Sequence, residues 1–445
     1  MDFKRGTMSR RGFIQRSLTG LAAVGIPTWF GNELVASAEQ AQPAQPVAPN
    51  DAIVMGHIGC GNPVNGRGRH IGNEARKVNG VQYVACCDVD RTHRESWAQY
   101  IAPGRQIAQF NDFRELLARR DIQAVTIATV DHWHALVAIA AMKAGKDVYC
   151  EKPLTLTIEE GKALVRVARE TNRRLQVGSQ QRTEFAGRFR LACDLVRNGR
   201  IGRITRIDCR IGDNPVGGPF QVSAVPAGLD WDFWLGPTPR VDYVRQKCHY
   251  DFRWWYDYSG GKMTDWGAHH LDTAQCALNM DASGPVEVEG SGDAPDGRPL
   301  TYNCHPQFTA TYRYANGTIV TATSRGENGL HFTGEDGKWL FVSRNALRAS
   351  DAALINEPLP ASATRLPVHL NHMQNFIDCV RSRQQPICNQ DVGHRSTTVC
   401  HIGTIAIRSG QRLRWNPQTE RFDGTDAFNN QWLGRPMRAP WRLDA

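Results

Sequence analysis

The stretch Ile53-Val54-Met55-Gly56-His57-Ile58-Gly59-Cys60-Gly61 predicts the fold of the first half of the chain. An apolar, β-branched run that ends at closely spaced glycines indicates a buried strand followed by a tight turn. Such glycines let the pyrophosphate of a dinucleotide approach backbone N–H groups at a helix start. The strict GxGxxG spacing fails, because Val64 occupies the third position and extra residues lengthen the loop before Gly66. The loop alone leaves a purely structural turn open.

The same alternation of short apolar runs and helical patterns continues outward from this loop. Repeated strand–helix–strand units imply a parallel sheet that is covered by helices on both faces. We therefore predict a Rossmann-type, doubly wound α/β domain. Its strands are expected over residues 53–58, 81–87, 124–129, 148–150 and 175–177, with helices after Arg67, from Arg91, from Asp112, over 134–144 and from Thr157.

Asp88 strengthens the prediction of a dinucleotide site. It closes the second predicted strand, where a carboxylate can accept hydrogen bonds from the adenosine ribose hydroxyls. A carboxylate there also repels a 2′-phosphate, so NAD is favoured over NADP, although Arg91 lies close by. The alternative is that Asp88 only caps the following helix.

A more specific pattern follows at Tyr149-Cys150-Glu151-Lys152-Pro153, preceded by Thr129-Val130-Asp131-His132-Trp133-His134. Together these motifs resemble the Gfo/Idh/MocA oxidoreductases, which include inositol dehydrogenase, glucose–fructose oxidoreductase and some NAD-dependent glycosidases. The resemblance continues through residues 260–272, 334–337 and 393–396, and so covers nearly all of the chain beyond residue 50. It implies an NAD site to which Gly59, Gly61, Gly66, Asp88, Thr129, His134, Glu151 and Lys152 contribute.

Lys152 is the first predicted catalytic residue. It follows the carboxyl end of a strand, the edge at which open α/β sheets bind ligands. An ammonium group there can hydrogen-bond to a substrate hydroxyl or move a proton to it. The alternative is a surface lysine held by Glu151.

Asp265, His269 and Asp272 are spaced i, i+4 and i+7, which puts them on one face of a helix. We predict that His269 is a general base that removes a hydroxyl proton, and that Asp265 orients the imidazole or touches substrate. A helical charge stripe is the alternative. No metal site is predicted, because the adjacent His269 and His270 diverge on one helix.

Beyond residue 182 the pattern changes to a helix over 185–197 followed by mostly alternating strands. Strands are expected over 204–210, 308–314, 319–323 and 339–342, with a tight hairpin at Asn316-Gly317. This pattern predicts a C-terminal α+β domain with a large, mostly antiparallel open sheet. The resemblance implies that this sheet faces the nicotinamide and pairs subunits in a homodimer or homotetramer. The predicted domains are 52–182 for NAD binding and 183–445 for substrate binding and oligomerisation.

Candidate substrate contacts fall in two places. Gln180 and Arg182 directly follow the last predicted parallel strand, although both can equally be surface polar residues. The stretches 231–234, beginning at Trp231, and 253–256 are rich in aromatic residues on which a sugar can stack. Core packing is the alternative for them.

The N-terminus predicts export. Ser9-Arg10-Arg11-Gly12-Phe13-Ile14-Gln15 is typical of a twin-arginine signal, and a mild apolar stretch and Ala36-Ser37-Ala38 follow it. Residues 1–38 are then a signal peptide, residues 39–51 a linker, and the mature protein is periplasmic; a frayed basic tail is the alternative. Gly25 and Pro27 interrupt the apolar stretch, so no stable membrane insertion is expected.

Composition excludes other classes of protein. The 53 Lys and Arg exceed the 44 Asp and Glu by nine, but they are scattered, whereas a nucleic-acid partner needs a concentrated patch. No disulfide framework is expected from the 12 cysteines, because a twin-arginine substrate folds in the reducing cytosol.

Three functions stay open at this stage. One is an NAD-dependent dehydrogenase that acts on a CH–OH group of a sugar or polyol. Another is a redox-neutral glycosidase or lyase that passes through a transient keto-sugar, and a third is a non-catalytic binding protein. Soluble NAD is scarce outside the cytosol, so export favours a tightly held cofactor. Lys152, Asp265 and His269 are intact, which argues against the third function.

Overall fold

The computed structural model describes residues 25–40, 51–64 and 66–444. The predicted twin-arginine motif at residues 9–15 and most of the predicted linker lie outside these residues. The described chain contains two sheets, each with its own helices. This arrangement confirms the predicted fold class.

The first sheet is parallel throughout. Its strands are β1 (Ile53–Ile58), β2 (Val81–Cys87), β3 (Ala108–Phe110), β4 (Ala124–Ile127), β5 (Asp147–Cys150) and β6 (Leu175–Val177). They lie in the order β3-β2-β1-β4-β5-β6. The chain reverses its direction of winding between β1 and β4, which is the point where open α/β sheets bind their ligands.

Helices connect these strands as the periodicity predicts. They are α2 (Arg67–Arg76), α3 (Arg91–Ile101), α4 (Phe113–Leu117), α5 (Asp131–Lys143) and α6 (Ile158–Thr171). Helix α6 begins with a capping box, because Thr157 Oγ1 accepts from the Glu160 N–H while the Glu160 carboxylate accepts from the Thr157 N–H. Helix α5 begins three residues before the predicted start, so His134 lies in its first turn.

The second sheet has nine strands in the order β13-β12-β11-β7-β10-β9-β8-β14-β15. All its neighbours are antiparallel except one parallel pair, β7 with β10. The strands are β7 (Ile204–Arg210), β8 (Glu287–Gly292), β9 (Phe308–Arg313), β10 (Ile319–Thr323), β11 (Gly329–Gly334), β12 (Trp339–Val342), β13 (Leu347–Ala349), β14 (Leu413–Asn416) and β15 (Arg421–Phe422).

Helices cover one face of this sheet. Apolar side chains alternate along the strands and pack under the helices, whereas outward positions such as Arg206, Asp208 and Thr309 are polar and partly exposed. The helices of this part are α7 (Arg188–Arg197), α8 (Trp231–Leu235), α9 (Lys262–Asp265), α10 (Gly267–Ala277), α11 (Ala353–Asn356), α12 (His372–Ser382), α13 (Gln390–Ser409) and α14 (Asp426–Trp432).

The two packed units are not consecutive in sequence. Phe376 and Ile377 of helix α12 belong to the apolar core under the first sheet, and Trp441 packs beside Phe113. The C-terminal part of the chain therefore returns to the nucleotide-binding unit. The predicted domain boundary at residue 182 therefore remains a prediction. It does not separate the two packed units, because residues after it also pack in the first unit.

An N-terminal helix, α1 (Thr28–Gln40), packs against the second unit. Phe30 and Leu34 lie one turn apart and are buried in its core, while Glu33 pairs with Arg190 and with a second arginine. The predicted cleavage point after residue 38 falls in the last turn of this helix. The signal-peptide pattern of residues 1–38 therefore did not reveal that the C-terminal part of this segment forms a helix packed against the second unit.

In the described ranges, no helix combines the length and the apolar character needed to cross a bilayer. All 12 cysteines are buried and free. Their thiols pack as small apolar groups.

Candidate active site

A cavity of about 960 Å³ joins the two units. Its walls include the loop after β1, the ends of β2 and β5, and residues of α9, α10 and the turn between β12 and β13. This volume lies at the upper end of small-molecule sites, which span about 300–1,000 Å³. The cavity is thus large enough for a dinucleotide together with a small substrate.

The glycine loop forms the nucleotide end of the cavity. Gly59 has φ +91°, and a Cβ there would come within 2.5 Å of the Ala128 carbonyl carbon and of the Thr129 nitrogen. A Cβ on Gly66 would come within 2.4 Å of the backbone nitrogen of Asn62, and Gly61 also has a positive φ of +69°. A larger residue would clash with the backbone or be strained here, so only glycine keeps the N–H groups accessible. This fits a loop that binds phosphates.

Asp88 lies beside this loop as predicted. One carboxylate oxygen accepts from the Gly61 N–H at 3.2 Å and the other accepts from the Asp90 N–H at 2.9 Å. Asp90, not Asp88, caps helix α3 through its own side chain. The capping alternative for Asp88 is therefore wrong, and its remaining lone pairs are available to ribose hydroxyls.

We expect Asp88→Ala to weaken NAD binding roughly 10- to 100-fold, the range for losing hydrogen bonds to a charged group. Nucleotide content after dialysis and titration of emptied protein with NAD both measure this effect. Asp121→Ala removes an exposed carboxylate paired with Arg119 and serves as the control. Equal NAD affinity in the two variants would contradict the assignment.

The second unit also closes over the ribose end of the cavity. Asp90 forms an isolated β-bridge with Leu229, and its carboxylate lies 3.3 Å from His249 Nε2. Burial alone would lower the pKa of His249, but the adjacent Asp90 carboxylate helps to hold it at about 10. This imidazolium–carboxylate contact joins the two units two residues beyond Asp88.

Glu151 is buried at the base of the cavity. Its Oε1 accepts from Gln180 Nε2 and pairs with Arg67 Nη2, both at 3.0 Å, while its Oε2 has no partner among the described residues. Burial would raise the pKa of Glu151, but Arg67 keeps it below its usual range. Glu151 also lines the cavity, so this buried and incompletely paired carboxylate, beside the bare glycine loop, fits the wall of the predicted NAD site.

Thr129 and His134 also line the cavity, but His134 acts on the protein itself. Its Nδ1 lies 2.6 Å from the Pro153 carbonyl oxygen and its Nε2 lies 3.2 Å from the Thr129 carbonyl oxygen. Both ring nitrogens are engaged by backbone, so the imidazole holds the turn that carries Lys152. His134 therefore contributes to the predicted NAD site as a residue of the cavity wall whose ring nitrogens are already engaged.

Lys152 and Asp265 form the centre of the site. Lys152 Nζ donates to Asp265 Oδ1 at 2.6 Å and to the Asp265 carbonyl oxygen at 2.7 Å. Arg253 Nε lies 3.5 Å from the same carboxylate oxygen. Burial would raise the pKa of Asp265, but the two cations together hold it well below its usual range. Asp265 thus stays ionised and fixes the ammonium group.

His269 lies in the wall of the same cavity as Lys152. Its Nδ1 is buried and has no partner among the described residues. Burial, and secondly the charge of Lys152, hold the pKa of His269 well below its usual value. The imidazole is therefore neutral near pH 7 and can accept a proton.

The predicted role of Asp265 in orienting His269 is wrong. Helix α9 ends at Asp265 and helix α10 begins at Gly267, so the residues are not on one continuous helix. The carboxylate turns to Lys152 instead. Asp272 also serves another partner, because its carboxylate pairs with Arg182 and accepts from Ser396.

The predicted substrate contact at Arg182 is wrong as well. Its guanidinium is 7% exposed, lies outside the cavity wall and pairs with Asp272 and Asp281 at 2.8 and 2.7 Å. Gln180 does reach the cavity, but its amide donates inward to the Tyr149 hydroxyl and to Glu151. Arg182 and Gln180 therefore stabilise other residues of the site through ion pairs and hydrogen bonds.

We expect Arg182→Met to destabilise the protein by roughly 3–5 kcal/mol, because it leaves the buried Asp272 without its cation. The free energy of unfolding in denaturant measures this loss. Arg203→Met is the matched control, since it breaks an exposed pair with Glu335 that contributes at most about 1 kcal/mol. A loss no larger than the control's would refute the bracing role.

Trp231 is not a sugar platform. It stacks on Trp234 at 4.7 Å between ring centroids, and its Nε1 donates to the Val241 carbonyl. Both rings belong to a separate apolar cluster, from which Trp234 reaches the cavity wall and Trp231 does not. Core packing, the alternative interpretation, applies to Trp231.

Several cavity residues were not predicted from the sequence. Arg67 and Trp266 lie next to or within motifs identified in the sequence, so their place in the sequence could have indicated that they line the cavity. Glu184 and Arg344 come from a loop and a turn that only the tertiary fold brings to the cavity. Arg253 begins the predicted substrate stretch 253–256 and is the residue of that stretch that lines the cavity.

Comparison with protein-family models gives two matches. Residues 53–179 match the Gfo/Idh/MocA model described as "Oxidoreductase family, NAD-binding Rossmann fold". Residues 216–443 match the model described as "Oxidoreductase family, C-terminal alpha/beta domain". The second match alone covers more than half of the chain.

Two curated relatives represent different chemistries. A 1,5-anhydro-D-fructose reductase of Ensifer adhaerens is 33% identical over 300 residues, which is 66% of this chain and 78% of the relative. A glycosyl hydrolase family 109 protein of Shewanella pealeana is 28% identical over 213 residues, which is 44% of each chain. The chain thus spans less than half the length of the second relative.

A solved structure with the same fold is aldose-aldose oxidoreductase from Caulobacter crescentus. It has a TM-score of 0.61 and 19% sequence identity, and the alignment covers 82% of this chain and 99% of that one. This likeness extends over both sheets and supports the fold.

Proposed function

This chain belongs to the Gfo/Idh/MocA oxidoreductase family, and from that premise we propose that it oxidises a CH–OH group of a sugar, polyol or sugar derivative. Its cofactor is NAD. One observation carries the proposal: Lys152 and His269 line the same cavity whose other end is the glycine loop with Asp88. When bound, NAD supplies the acceptor for a hydride from the substrate carbon.

Lys152 and His269 have separate roles in this reaction. Lys152, held by Asp265, donates a hydrogen bond to the substrate hydroxyl and positions it. His269 is neutral and buried, and its Nδ1 has no hydrogen-bond partner among the described residues, so the imidazole accepts the hydroxyl proton as the carbon–oxygen double bond forms.

The proposal includes a cofactor that stays bound. The twin-arginine pattern of residues 9–15 supports export to the periplasm in the folded state, where free NAD is scarce. The Asp90–His249 contact supports retention, because it fastens the second unit beside the ribose end. A retained cofactor requires either a second substrate that takes the hydride back or a redox-neutral cycle.

A redox-neutral glycosidase or lyase is therefore the second candidate. In such a cycle oxidation of a ring hydroxyl would give a transient keto group that acidifies the neighbouring C–H. Elimination would then release the leaving group, water would add, and the hydride would return to the keto carbon. Similarity to a glycosyl hydrolase family 109 protein favours this candidate. Lys152 and His269 serve both cycles equally.

The test begins with purified, dialysed protein without added nucleotide. Denaturation is expected to release NAD or NADH at close to one molecule per chain, identified by absorbance and mass spectrometry. Glycosides are then incubated in buffer alone. Release of aglycone supports the redox-neutral cycle, and NADH without bond cleavage supports the dehydrogenase. Protein that carries no nucleotide would overturn the proposal of retention.

We also propose that the protein is a homodimer or homotetramer formed through the second sheet. The outer face of β7 and β9 supports this, because its polar residues include the exposed Arg206 and Arg313 and leave that side of the sheet accessible to a second subunit. Size-exclusion chromatography with light scattering measures the oligomer, and a monomer at micromolar concentration would refute it.

A further inference from the structure

Arg344 brings a positive charge to the substrate end of the cavity. It lies in the turn between β12 and β13 and lines the cavity together with Asp265 and His269. The guanidinium carbon lies 4.4 Å from the ring centroid of Trp266 and 4.8 Å from that of Phe185. The two aromatic faces hold the planar group and leave its N–H edge for another partner.

Among the described residues, no carboxylate pairs with that edge. Arg344 forms no ion pair with any carboxylate of the described chain, and its buried Nε has no hydrogen-bond acceptor there. The neighbouring carboxylates are otherwise committed, since Asp265 pairs with Lys152 and Glu151 pairs with Arg67.

The nearby Glu184 does not take this role. It lines the cavity and feels the charge of Arg344, but it does not come within ion-pair distance. Burial raises the pKa of Glu184 to about 7, so it is only partly ionised at neutral pH. Arg344 is therefore left as a half-buried cation that needs an anion to offset its desolvation.

We propose that Arg344 binds an anionic group of the substrate, so that the substrate is an acidic sugar rather than a neutral one. The guanidinium fork accepts a carboxylate or a phosphate in a bidentate pair. This inference rests on the proposed function and adds the substrate class to it. The cofactor pyrophosphate already has the bare backbone of the glycine loop, so it does not require Arg344.

The experiment compares matched sugars that differ in one group: a neutral hexose, its uronate and its phosphate. Dissociation constants for each are measured on NAD-loaded protein, together with kcat/KM. The wild type is expected to favour an acidic sugar roughly 100-fold over its neutral parent, as for two charge-assisted hydrogen bonds. The uronate and phosphate arms identify which anion the site takes.

Arg344→Met is expected to abolish this preference while the affinity for the neutral sugar and for NAD stays within threefold. Arg344→Lys keeps the charge but loses the fork, so it should retain phosphate better than carboxylate. Arg348→Met, on the adjacent strand and paired with the exposed Glu327, is the control and should behave as wild type.

Two results would overturn the inference: a wild type that binds neutral sugars best, or an Arg344→Met variant that loses NAD affinity instead of acid preference. Binding separates this inference from the proposed function. Selective binding of an acidic sugar without its oxidation would keep the role of Arg344 and reject the dehydrogenase activity.

Discussion

Replacing Lys152 with methionine is expected to lower kcat by roughly 100- to 10,000-fold, the usual contribution of a positioned acid–base group. The ammonium is the group that contacts both the Asp265 carboxylate and its carbonyl oxygen. Methionine keeps the length of the side chain but cannot donate to a substrate hydroxyl. Single-turnover formation of NADH, with nucleotide content measured in parallel, separates the chemical step from cofactor binding.

The control for this variant is Lys162→Met. Lys162 pairs with the half-exposed Glu159 on helix α6, outside the cavity. Its loss should leave kcat unchanged. A Lys152 variant that turns over at the wild-type rate would remove this residue from the mechanism.

Replacing His269 with glutamine is expected to cost roughly 100-fold or more in kcat, because the amide cannot take up a proton. The pH profile gives an independent readout. The lowered pKa of His269 means that its neutral, active form persists as pH falls to 6.5 and is lost only below that value. The acid limb of kcat/KM in the wild type should therefore lie below pH 6.5.

His331→Gln is the control, since His331 lies on β11 outside the cavity. It should show neither the loss of turnover nor a change in the acid limb. If the His269 variant kept the wild-type acid limb, another group would be the base.

Local features made the nucleotide half predictable. A strand followed by a glycine turn depends on neighbours in sequence, so the loop at Gly59 and Gly61 and the aspartate at position 88 could be located without coordinates. Lys152 was found in the same way, because it directly follows strand β5.

The errors arose where the partner of a charge lies far away in sequence. Arg182 is fixed by Asp272, 90 positions later, and no pattern near residue 182 reveals that ion pair. The break between α9 and α10 likewise could not be predicted, and because of it the Asp265 carboxylate contacts Lys152 rather than His269. Arg344 was missed because its turn reaches the cavity only through the order of the second sheet.

A crystal structure of the protein with NAD tests the central claim most directly. We predict that the nicotinamide C4 atom faces a space bounded by Lys152 Nζ and the His269 ring, with room for a sugar carbon at roughly 3–3.5 Å from C4. A nicotinamide ring bound elsewhere, or one from which these two side chains are separated by protein, would contradict it.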